Sequence, residues 1–145
     1  MSAVGVLGCG SVIVWAAALT LVDVRVRRLP NALTLTGAVV ILAGATATGR
    51  GTPALTGGLA LAGLYLVVHL ADPSSMGAGD VKLALALGAL TGAFGLAVWT
   101  LAALAAPILT AILGVIALVR RHRIPLPHGP SMCVASLVSA ALAVF

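Results

Sequence analysis

Residues 3–22 read AVGVLGCGSVIVWAAALTLV, twenty positions without a charge, and residues 23–31 read DVRVRRLPN, with one acid and three arginines. An apolar run of about 20 residues is long enough to cross a bilayer as a helix. The run therefore predicts a membrane-spanning helix from Ala3 to Val22, ending at Asp23. No basic region precedes it, and it is longer than the apolar core of a secretory leader, so it reads as a retained helix.

The rest of the chain repeats this alternation. Of 145 residues, 61% are hydrophobic and 8% charged, against about 25% charged in an ordinary soluble domain. Such a balance excludes a soluble fold, a disordered chain and a collagen-like repeat. Five further apolar runs follow, over about Ala32–Thr48, Ala54–Ala71, Val81–Leu90, Leu96–Val119 and Ser131–Phe145. Thr91-Gly-Ala-Phe-Gly95 is the weakest of the breaks between them, and Pro107 is expected to kink the fifth run. Asn31 is placed to N-cap the second helix. The expected fold is all-α: one polytopic membrane domain over residues 1–145, with about six transmembrane helices and the lipid bilayer as its surroundings.

Charge sets the orientation. With six spans, the first, third and fifth loops hold Arg25, Arg27, Arg28, Lys82, Arg120, Arg121 and Arg123, seven of the eight basic residues, and only Arg50 falls opposite. Lys and Arg accumulate in cytoplasmic loops, so that side is expected to be cytoplasmic and both termini extracytoplasmic. The net charge of +5 is thereby an orientation signal. No basic face or aromatic interleaving supports a nucleic-acid partner. Cys9 and Cys133 stand alone in apolar sequence and read as small buried side chains, without metal-ligand spacing.

The acids carry the chemistry. There are three, Asp23, Asp72 and Asp80, and no Glu. Asp23 ends the first helix and Asp80 opens the fourth, both on the cytoplasmic side of the expected topology. Two neighbouring carboxylates do not both ionise easily and tend to share a proton. One then takes a proton from water while the other donates to a carbonyl oxygen, which is the chemistry of an aspartic protease. Gly77 and Gly79 beside Asp80 allow close backbone approach. The helix N-terminus favours the Asp80 anion, so Asp80 is expected to be the more acidic member of the pair.

Two motifs match a family. Asp23 is followed in a basic loop by Leu29-Pro30-Asn31, with Thr34 beyond, and Gly77-Ala78-Gly79-Asp80-Val81-Lys82 reads G-x-G-D-x-K. A weaker third match is Ile124-Pro125 with Gly129-Pro130. In this spacing the chain resembles the type IV prepilin peptidases, in their short form. The resemblance implies a membrane aspartic endopeptidase with Asp23 and Asp80 as catalytic residues and Pro30, Asn31, Gly77, Gly79 and Lys82 in support. It implies a prepilin or pilin-like precursor as partner, cut after a short basic leader at the cytoplasmic face of a bacterial cell membrane. The paired C-x-x-C motifs of the long members are not in this sequence, so neither methyl transfer, a structural zinc nor another cofactor is expected. Lys82 reads equally as support for Asp80 or as a positive-inside anchor. Asp72, His122 and His128 read as solvated loop residues, His69 as packed or interfacial, and Gly37, Gly44, Gly63 and Gly88 as close-packing positions. The rival reading is a non-enzymatic transporter or channel subunit, or a scaffold, whose aspartates pair with arginines or bind protons along a pathway.

Overall fold

The computed structural model describes residues 3–26, 28–74, 76–121 and 127–144, with side chains from Gly8 onward. Arg27, His122, Arg123 and the Ile124-Pro125 pair lie outside the described residues. The described residues form six helices and no strand: α1 (Ala3–Val26), α2 (Asn31–Ala47), α3 (Gly51–Ala71), α4 (Ala78–Ala93), α5 (Leu96–Val119) and α6 (Gly129–Val144). Each expected apolar run is a helix. Three are long and apolar enough to cross a membrane on their own, Gly8–Val26, Gly51–Ala71 and Leu96–Val119. The others are 16 or 17 residues long, or roughly 24–26 Å at 1.5 Å per residue.

The weak break after Thr91 is real, and a glycine makes it. Gly95 has φ +108°, a conformation that side chains with a β-carbon rarely adopt, and it separates α4 from α5. Gly49, with φ +75°, plays the same part after α2. The Arg50 N–H turns back to the Ala45 carbonyl at 2.7 Å, satisfying one of the carbonyls that a helix end leaves open.

Helix α4 is the axis of the bundle, packed by α2, α3, α5 and α6. Its buried residues are small or medium: Leu83, Ala84, Ala86, Leu87, Gly88, Ala89, Thr91 and Gly92. Its tightest neighbour is α3. A β-carbon on Gly57 would lie 2.6 Å from the Gly88 carbonyl oxygen, and one on Gly88 would lie 2.6 Å from that of Gly57. Gly92 opposes Pro53 and Gly57, and Gly58 opposes Leu85 and Ala89. Partners fall on α4 as they rise on α3, so the two helices are antiparallel and nearly in backbone contact. Small residues are what allow this where lipid gives no hydrophobic drive between helices.

Tryptophans bolt the outer helices on. Trp99 Nε1 donates to the Gly57 carbonyl at 2.9 Å, tying α5 to α3, and Trp15 Nε1 donates to the Leu33 carbonyl at 2.8 Å, tying α1 to α2. Gly37 is the floor on which the Trp15 ring lies. Gly88 and Gly37 thus pack as expected, whereas Gly44 and Gly63 have open space where a β-carbon would stand. Both point away from the bundle among the described residues, which is why their smallness has no packing role here. Large apolar side chains such as Val14, Val40, Leu59, Val67, Leu104 and Ile108 are exposed around the outside. Cys133 is buried, but Cys9 is exposed, against the expectation that both are buried, because α1 turns that face outward.

Overpacking at the α3–α4 contact gives a direct test. Gly88→Leu would force backbone apart and is expected to destabilise the bundle by about 1–3 kcal/mol. In a Cys9→Ser background, maleimide labelling of buried Cys133 in detergent would then begin at a lower temperature than in the parent. Gly63→Leu, at an open position, should leave the labelling curve in place.

Candidate active site

Five helix ends meet at one end of the bundle: the C-termini of α1 and α3 and the N-termini of α2, α4 and α6. Arg50 is at the other end, its guanidinium 5.8 Å from the centre of the Phe94 ring.

Helix α1 runs one turn past its expected end, to Val26. Asp23 is therefore an inward-facing residue of the last turn, 7% exposed. Thr20 and Asp23, three apart and so on one face, look at α6. Thr20 lies beside the Cys133 thiol, and the Gly129 N–H donates to Asp23 Oδ2 at 3.1 Å. A β-carbon on Gly129 would collide with that carboxylate. Position 129 thus requires glycine for a contact made 106 residues away along the chain.

Asp80 stands in the first turn of α4, ahead of the apolar stretch that begins at Val81, and is half-buried. Its Oδ2 accepts the Gly77 N–H at 3.2 Å, while its own N–H donates to the Gly77 carbonyl at 3.0 Å. This is the reciprocal half of a capping box, with the acid at the third helical position. Gly77 has room for a β-carbon, so its part is to present an N–H. The close approach expected of the glycines belongs to Gly79 alone, where a β-carbon would lie 3.1 Å from Leu29 Cβ. That contact seats the loop between α1 and α2 against the head of α4.

Asp23 and Asp80 lie within range of each other's charge. Burial first, and the charge of Asp23 second, push the Asp80 carboxyl up from 3.8 to about 6, while the Gly77 N–H pulls the other way. The helix end and the one amide, the grounds for expecting Asp80 to be the more acidic member of the pair, do not offset desolvation plus a second carboxylate.

The supporting residues fall around the pair. Pro30, extended at φ −63° and ψ 133°, is the N-cap of α2 in place of Asn31. Its fixed φ suits the helix entry, and its carbonyl accepts the N–H groups of Leu33 and Thr34 at 3.0 and 3.1 Å. Asn31 is instead the first helical residue, and its Oδ1 accepts from Lys82 Nζ at 2.7 Å. Lys82 therefore ties the two motifs together. Thr34 is fully buried beneath this turn. Asp72 is exposed and accepts from the N–H and hydroxyl of Ser74. His69 Nδ1 donates to the Met76 carbonyl at 2.7 Å, closing the α3–α4 loop.

His128 departs from its expected solvation. It is half-buried, with Nε2 3.0 Å from the Tyr65 hydroxyl and Nδ1 2.6 Å from Thr110 Oγ1. Burial pushes its pKa below the usual histidine value. Tyr65 in turn lies within charge range of Asp80. Neither Tyr65 nor Thr110 stood out in the sequence, because single polar residues inside apolar runs carry no spacing signal. Among the described residues, no three His, Cys, Asp or Glu side chains gather as metal ligands.

Two outcomes follow from this geometry. A carboxyl raised from 3.8 to about 6 favours the protonated form in the folded state, so its contribution makes stability fall as pH rises through that window. Unfolding in detergent at pH 4 to 7 should show this fall, and Asp80→Asn should flatten it. Gly129→Ala should displace Asp23 and lower any activity that depends on the pair by about 100-fold, as a 1 Å misplacement can, measured at unchanged protein level in the membrane.

The family model described as the type IV leader peptidase family matches residues 11–119, a stretch that contains both aspartates. No curated protein and no solved structure gives a significant match. With most of its length covered by that model, this chain belongs to the type IV leader peptidase family.

Proposed function

We propose that the chain is a membrane aspartic endopeptidase that removes the short basic leader from prepilin-like precursors at the cytoplasmic face of a bacterial membrane. The observation that carries this reading is the pair Asp23 and Asp80, brought within charge range from helix ends 57 positions apart, each carboxylate accepting a backbone N–H. All six helices cross the bilayer in this reading, with the site end cytoplasmic and both termini outside. Arg50 at the opposite end and Arg25, Arg28, Lys82, Arg120 and Arg121 at the site end fit that orientation.

The reaction needs one water and no covalent intermediate. With one proton shared between the carboxyls, the ionised member takes a proton from water as its oxygen attacks the scissile carbonyl. The protonated member gives its proton to the carbonyl oxygen, forming a gem-diol. Collapse of the gem-diol returns a proton to the leaving amine and breaks the C–N bond, which restores the singly protonated pair. Lys82, through Asn31, holds the first motif loop in register with Asp80.

Co-expression with a candidate prepilin in a host lacking its own peptidase tests the reading. The wild-type chain is expected to convert the precursor to a shorter form. Asp23→Asn and Asp80→Asn, each at wild-type membrane levels, should cut roughly 10²–10⁴-fold more slowly. Full-rate cleavage by both variants would overturn the assignment. Lys82→Met should give an intermediate loss, since it removes a positioning contact and no reacting group.

A further inference from the structure

We infer that His128 is a positioning residue of the peptidase site, clamping the head of α6 so that the Gly129 N–H stays on Asp23; this rests on the proposed function. The clamp has a defined hydrogen-bond direction. Thr110 Oγ1 donates to the Ala106 carbonyl at 3.1 Å, so toward His128 its oxygen accepts, and Nδ1 carries the hydrogen. Nε2 is then the acceptor for the Tyr65 O–H. The chain of donors runs from Tyr65 on α3, through the neutral ring, to Thr110 on α5, and the His128 carbonyl accepts the Met132 N–H at 3.2 Å within α6. Three helices are thus fixed to the residue immediately before Gly129.

The position of the clamp gives it leverage on both aspartates. Gly129 is the backbone donor to Asp23, and a hydrogen bond to the ionised form of a carboxylate favours that form. On the other side, Tyr65 faces Asp80 closely enough to feel its charge. Against the ring itself stand Tyr65 on α3 and the non-ionising Thr110 on α5; Asp80 on α4 lies within charge range of Tyr65, and Asp23 on α1 holds the neighbouring Gly129 N–H. A ring protonated on both nitrogens has no acceptor left for the Tyr65 O–H, which would then have to turn away and accept from Nε2–H instead.

The test uses the full-length chain purified in detergent, with prepilin cleavage followed across pH. His128→Ala is expected to lower kcat about 10- to 100-fold, the cost of a misplaced reacting group, with KM within about twofold. The acid limb of the pH profile should move to higher pH, because Asp23 loses the fixed N–H that favours its anion. His128→Gln, which keeps an acceptor for Tyr65, should recover part of kcat. Tyr65→Phe and Thr110→Val should each show a smaller loss, and their double variant should match His128→Ala rather than exceed it.

Wild-type kcat, KM and pH profile in His128→Ala would overturn the clamp. So would a loss uniform across pH that follows thermal stability and is not recovered by Gln. Failure of the wild-type chain to cut any prepilin would instead sink the proposed function. The clamp is then judged by ¹⁵N spectra of the His128 ring, expected to show a neutral Nδ1–H tautomer that changes in Tyr65→Phe. A charged or Nε2–H ring at neutral pH would overturn it.

Discussion

The first turn of a helix carries N–H groups that no carbonyl within the helix can reach. In an apolar bundle those amides are among the few groups able to hold a carboxylate out of water, and this chain places both halves of its candidate pair on them. Asp80 takes the N–H of Gly77, the N-cap of its own helix, and Asp23 takes that of Gly129, the first residue of α6. Much else is arranged around that requirement. The heads of α4 and α6 must sit at the same end as the tail of α1, which up-and-down packing provides. The two donors are both glycines, and at the head of α6 the residue must be one, whereas Gly77 at the head of α4 has room for a β-carbon.

The dependence on small residues extends down the axis. Asp80 reaches the middle of the site end because α4 is the central helix, and α4 is central because alanine and glycine let α3 approach to backbone contact along Gly57, Gly58, Gly88 and Gly92. The same economy of volume appears at Gly79, whose missing β-carbon admits Leu29. That contact and the Lys82–Asn31 hydrogen bond join the two sequence motifs into one local structure.

The elements were legible in the sequence because a membrane helix announces itself by an uninterrupted apolar run, and the breaks are made of Gly, Pro and charge. Even the doubtful break after Thr91 held, since Gly95 supplies a backbone angle that ends α4. The two aspartates were legible because charge is so scarce that each acid had to be explained. What the sequence did not carry were relationships between helix faces. Apolar residues surround every helix, so no polar stripe distinguishes the inner face from the lipid face, and Gly44 could not be told from Gly37, or Cys9 from Cys133. Asn31 was misread because Pro30 is itself a competent cap. His128 was read as solvated because it lies in a basic loop, although Tyr65 and Thr110, on helices far apart in sequence, enclose it.

The two aspartates differ in one further respect. The donor to Asp80 lies three residues away on the same helix, so carboxylate and amide move together and their geometry is local. The donor to Asp23 lies 106 residues away on another helix, so that hydrogen bond exists only while α1 and α6 keep their relative position. Any displacement of the head of α6 leaves Asp80 with its partner and deprives Asp23 of its own. The balance of charge between the members of the pair is therefore a tertiary property. It is set at the junction of α1 and α6 and reported by Asp80, whose carboxyl responds to the charge of Asp23.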